Sequence, residues 1–101
     1  MIYDTIKQTV LSHLPDSRVL LFGSRARGDH DQHSDYDLMV ITANLITRSE
    51  KLNWHAILNK EIVRAIHAPI DLLLFSEGEI LEKNVLPGHI VRSAIREGIV
   101  L

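Results

Sequence analysis

The feature that most constrains this 101-residue sequence is a polar loop held between two apolar runs. Val19-Leu20-Leu21-Phe22 leads into Gly23-Ser24-Arg25-Ala26-Arg27-Gly28, and a polar stretch from Asp29 to Ser34 delivers Asp35-Tyr36-Asp37 at the head of Leu38-Met39-Val40-Ile41. Two strands with a loop between them are expected. A Gly-Ser turn at the end of a strand can aim backbone N–H groups and a hydroxyl at a phosphate. Aspartates at i and i+2 on a strand share one face, roughly 6.5 Å apart along the chain, a spacing that suits shared divalent cations. Phosphate cradle plus paired carboxylates reads as nucleotide chemistry.

The rest of the chain alternates helix and strand, with no internal repeat or linker. Ile2, Ile6, Val10 and Leu14 form a stripe that predicts an amphipathic helix stopped by Pro15 and Asp16. Arg18 to Phe22 lacks polar alternation and is expected as a central strand, followed by one helical turn over 25–28 that Gly28 ends. Tyr36 to Thr42 is the second strand, with Tyr36 facing away from the aspartates. Thr47-Arg48-Ser49-Glu50 fits a capping box opening a long helix to about His67, closed by Pro69. Leu58, Ile62, Ala65 and Ile66, with Trp54, are its expected buried stripe. Ile70 to Phe75 is a third strand, apolar except for Asp71, and a carboxylate in a buried strand demands an arginine partner or a metal. Ser76-Glu77-Gly78-Glu79 is a second capping box, and Ile90, Val91, Ala94 and Ile95 mark a last helix, with Gly98 expected as its left-handed C-cap. The apolar tail Ile99-Val100-Leu101 must pack on something.

Composition sets limits on function. This length predicts one domain over residues 1–101, burying roughly 65% of its unfolded surface. The absence of cysteine excludes disulfides and thiolate metal sites. No signal stretch or membrane-spanning run is evident, so a soluble, cytoplasmic protein is expected. A net charge of −2 gives no electrostatic footprint for direct nucleic-acid binding. Four aspartates and two arginines lie between Gly23 and Asp37, so an anionic ligand there needs cations, with Mg²⁺ the natural choice. His30 and His33 lack a converging fourth ligand for zinc, and Tyr36 and Trp54 are assigned to the core or to partner contacts. Neither a Walker lysine nor a G-x-G-x-x-G string is present.

Gly23-Ser24, ten residues, then Asp35-Tyr36-Asp37 resembles the signature of the minimal nucleotidyltransferases of the DNA polymerase beta-like superfamily. The strings GSRARG and SDYDL are similar to the antitoxin half of HEPN/MNT toxin–antitoxin pairs, and Asp71 matches that family's third carboxylate. The closing Ile95-Arg96-Glu97-Gly98 also resembles the family. The resemblance implies an α/β fold of the α+β kind, with a mixed sheet of three or four strands flanked by helices. It implies transfer of AMP from ATP to a hydroxyl, with two Mg²⁺ ions held by Asp35, Asp37 and Asp71. Gly23 and Ser24 would hold phosphate, and Arg27, ahead of Arg25, would face the pyrophosphate, although either arginine also suits a solvated helix face. The implied acceptor is a tyrosine of a HEPN toxin. Two other readings stand beside it: a non-catalytic nucleotide-binding module that neutralises its partner by surface masking, and transfer to a small molecule such as an aminoglycoside. Under any of them the protein is open to forming an oligomer.

Overall fold

The computed structural model describes residues 1–101, and its framework is a four-stranded mixed sheet. In chain order the elements are α1 (Ile2–His13), β1 (Arg18–Phe22), α2 (Gly23–Arg27), β2 (Tyr36–Thr42), α3 (Arg48–Ile66), β3 (Ile70–Ser76), α4 (Glu77–Lys83), α5 (Ile90–Glu97) and β4 (Ile99–Val100). The strand order is β3-β2-β1-β4. β1 runs antiparallel to both β2 and β4, whereas β2 and β3 are parallel and joined by the crossover helix α3. The apolar tail thus packs as the edge strand β4, pairing Ile99 with Leu21 and Val100 with Leu20.

Strand alternation sorts the core into two layers. Val19, Leu21, Tyr36, Leu38, Val40, Leu72 and Leu74 point to one face and meet Ile6 and Val10 of α1 and Leu58 and Ile62 of α3. Leu20, Phe22, Met39 and Ile41 point to the other and meet Ile80 of α4 and Val91 and Ala94 of α5. β1 and β2 are therefore covered on both sides, which is why their sequences carry no polar alternation. No helix is long and apolar enough to cross a membrane.

Both capping boxes form. The Thr47 hydroxyl accepts from Glu50 N at 3.1 Å while Glu50 accepts from Thr47 N at 2.8 Å, and Ser76 and Glu79 repeat the exchange at 3.2 and 3.1 Å. Three expectations need correction. Ala65 is exposed, because its methyl in the last turn of α3 is too short to reach the core that Ile66 touches. Gly98 is extended, at φ −70° and ψ 150°, and not left-handed. A Cβ there would overlap the Ala94 carbonyl oxygen and come within 3.0 Å of Leu20 Cδ2, so glycine is needed for close approach between α5 and β1. Asp71 is exposed at the start of β3 and belongs to none of the four ion pairs, so it carries no burial cost and needs no arginine.

Candidate active site

All four strands meet at one end of the sheet: β1 finishes there, and β2, β3 and β4 begin there. The registers Phe22↔Asp37 and Asp37↔Asp71 set Phe22, Asp37 and Asp71 in one row across β1, β2 and β3. Neighbouring strands lie roughly 4.8 Å apart, so the carboxylates of Asp37 and Asp71 leave adjacent backbones on the same face. Behind them a cleft of about 640 Å³ is lined by Phe22, Gly23, Ser24, Arg27, Asp37 and Asp71 on one side. Gly88, Ile90, Ser93 and Glu97 line the other.

Gly23 opens the short helix α2 with φ +72°, a region where side chains are strained. A Cβ at this position would overlap Asp37 Oδ2 and lie 2.8 Å from Asp37 Cγ. The carboxylate occupies the space that any larger residue would fill, so Asp37 in this position requires glycine at 23. Asp37 is partly buried, and that burial pushes its carboxyl above the ordinary range. The charges of Asp71 and Asp35 push it further, Glu97 adds to this, and Arg27 alone opposes. Asp35 is exposed just before β2, outside the cleft lining but near enough to act on Asp37.

The two arginines part company. Arg27 sits at the cleft, with Nε on Asp29 Oδ2 and Nη1 on Glu97 Oε1, both at 3.2 Å. Its guanidinium is held firmly protonated by the Asp29 hydrogen bond and charge, with Glu97 contributing less. Arg25 instead donates to the Ser34 carbonyl at 2.9 and 3.1 Å and lies 4.0 Å over the Tyr36 ring. Tyr36 points to the face opposite Asp37, so Arg25 is drawn away from the cleft and fastens the 31–34 loop. The phosphate role expected for Arg25 does not fit this placement.

Glu97 is the functional candidate that motif reading missed. Its Oε1 also accepts the Gly23 N–H at 3.2 Å, across 74 residues of chain. Ile90, Ser93 and Glu97 recur at i, i+3 and i+7, a spacing that puts them along one stripe of α5 beside its buried stripe. That second stripe was available in the sequence.

A divalent cation fits the donors in a limited sense. No three His, Asp or Glu side chains stand together as a ready-made cage. Mg²⁺ usually takes one or two carboxylates and completes its shell with substrate phosphates and water, and Asp37 with Asp71 supplies hard oxygens in an acidic site that Arg27 only partly offsets.

The family model for polymerase beta nucleotidyltransferases matches residues 4–101. The chain belongs to this family. Among solved structures, this nucleotidyltransferase is similar to a variant of the MntA–HpeT toxin–antitoxin, with a TM-score of 0.65 and 22% identity over 98% of this chain and 70% of that one. A toxin–antitoxin crystallised with AMP-PNP gives 0.67 at 19% identity over 96% and 69%. A provisionally named nucleotidyltransferase of Sulfolobus solfataricus gives 0.60 at 22% over 98% and 75%. These likenesses establish the mixed-sheet nucleotidyltransferase fold. In sequence, the chain is 50% identical over 34 residues to a Methanocaldococcus jannaschii protein provisionally named a protein adenylyltransferase, a match spanning 34% of each chain.

Proposed function

We propose that the cleft binds the triphosphate of ATP and that the protein transfers AMP to a hydroxyl of a partner protein, a tyrosine of a HEPN toxin. The observation that carries this reading is the packing of the Asp37 carboxylate on Gly23, in register with Asp71. It couples a phosphate loop to two acidic side chains at one end of the sheet. Mg²⁺ held by Asp37 and Asp71, with Asp35 close beside them, would offset charge on the triphosphate and lower the pKa of the attacking hydroxyl.

The remaining roles belong to the chain itself. Gly23 N–H and the Ser24 hydroxyl donate to phosphate oxygens, and Arg27 faces the charge that grows on the pyrophosphate. The acceptor oxygen forms its bond to the α-phosphorus as the bond to pyrophosphate breaks. Asp71, open at the rim, accepts the proton that the hydroxyl releases. A protein acceptor is supported by exposed apolar side chains, Ile90 in the cleft wall and Leu81, Val85 and Leu86 in the segment that leads to it, which suit a macromolecular surface. The name of the M. jannaschii relative and the AMP-PNP bound to a structural neighbour agree with adenylyl transfer.

Incubation with labelled ATP, Mg²⁺ and a cognate HEPN-domain protein should label that protein on tyrosine. Full labelling by Asp35→Asn/Asp37→Asn would remove the carboxylates from the reaction. The apolar surface equally favours neutralisation by masking. That reading prevails if a variant lacking all three aspartates binds the toxin normally and still silences it in cells.

A further inference from the structure

Glu97 is the one carboxylate of the cleft that holds the donors assigned above to phosphate. Its Oε1 receives the Gly23 N–H and Arg27 Nη1, each at 3.2 Å. Two donors converging on a single anionic oxygen is how a phosphate oxygen is gripped. Arg27 is the only cationic side chain lining the cleft, so an entering anion needs the group that Glu97 already occupies.

Resting on the nucleotide reading, we propose that Glu97 is a resident anion of the triphosphate subsite, orienting Gly23 N–H and Arg27 when the cleft is empty and yielding them when a polyphosphate enters. The backbone of Glu97 cannot yield, because Gly98 packs without room for a Cβ against Ala94 and Leu20, and Ile99 and Val100 are paired with β1. Only the side chain can swing away, and it is partly solvent-exposed. Arg27 stays in place when it does, since Nε remains on Asp29 while Nη1 becomes free. Glu97 therefore acts through Arg27 and Gly23 as a positioning residue and as a competitor for them. A polyphosphate without metal must displace Glu97 while facing Asp35, Asp37 and Asp71, so the subsite favours the metal-bound form.

The test is calorimetric titration of inorganic tripolyphosphate, in EDTA and in Mg²⁺, into the wild-type protein and Glu97→Gln. Glutamine keeps the length and an oxygen that accepts the same hydrogen bonds, and melting curves report whether the variant is folded. Glu97→Gln should bind metal-free tripolyphosphate roughly tenfold tighter, the scale of one charge-assisted contact released, and the gain should shrink with added salt. Equal or weaker binding by Glu97→Gln, with the wild type still binding, overturns the competitor role and leaves the nucleotide reading standing. Failure of both proteins to bind even with Mg²⁺ overturns both. In the wild-type protein, independently of any variant, the Glu97 carboxyl carbon resonance should move as tripolyphosphate is added. A fixed Glu97 signal beside shifting Gly23 and Arg27 signals also overturns displacement.

Discussion

Two carboxylates at opposite ends of the sheet show how differently this chain treats negative charge. Glu79, at the end where β2 and β3 finish, accepts from Lys51 Nζ at 2.8 and 3.0 Å and from Ser76 N at 3.1 Å. Burial pushes its carboxyl up, yet the Lys51 and Ser76 contacts outweigh that and hold it below the ordinary range. Asp37, at the end where β2 and β3 begin, has no cation bonded to it and is pushed the other way, first by burial and then by Asp71 and Asp35. One acid is neutralised by the fold. The other keeps a charge that no bonded cation offsets, and perturbed groups of that kind cluster at functional sites.

The contrast can be broken at several points. The largest effect is expected for Asp37→Asn in AMP transfer, which should fall by roughly 10²- to 10³-fold in single-turnover assays with Mg-ATP. Next is Gly23→Ala, which should destabilise the fold by about 3 kcal/mol in urea titrations, through the overlap with Asp37 and the positive φ. Adding Asp37→Ala should return part of that loss, and no recovery would show that Gly23 and Asp37 are not coupled. At the other end, Glu79→Ala should cost about 2 kcal/mol, since a cap and a hydrogen-bonded ion pair go together. Because the folded-state pKa of Glu79 is lowered, its contribution is present above the unfolded value. It is lost as pH falls through the folded one, so wild type and Glu79→Ala should converge in acid.

The smallest effect has the opposite sign. Asp37→Asn should stabilise the ligand-free protein at neutral pH by up to about 1 kcal/mol after allowing for solvent screening. Its pKa is raised in the folded state, so the penalty in the wild type is full above that pKa and is relieved as pH falls toward the unfolded value. The advantage of asparagine should close over the same interval. A variant that is both less stable and less active would place Asp37 with Glu79 as a structural acid.

Much of this was legible in the sequence because local rules carried it. The spans of β1 and β2 and both capping boxes depend on residues within four positions of one another and form as read, whereas the short helix capped by Gly28 begins two residues early, at Gly23, and β3 runs on to Ser76. Gly23, Ser24 and Asp37 of that spacing line one wall of the cleft while Asp35 stays outside it, and Asp71 joins them because the parallel register sets it beside Asp37. What escaped was non-local. Glu97 meets Gly23 and Arg27 only after β4 folds back along β1, and no local pattern encodes that pairing. Arg25 and Arg27 look alike in the chain, and their contacts in the fold separate them, Ser34 and Tyr36 for Arg25 against Asp29 and Glu97 for Arg27. Gly98 was read for handedness when its reason is crowding.

The parallel ladder between β2 and β3 holds Asp37 and Asp71 at a separation set by backbone hydrogen bonds. The facing wall, from Gly88 through Glu97, takes no part in that ladder. The cleft thus behaves like a vice with one fixed jaw and one replaceable jaw. Substitutions in the 88–93 segment can therefore reshape that wall while the carboxylate gauge stays constant.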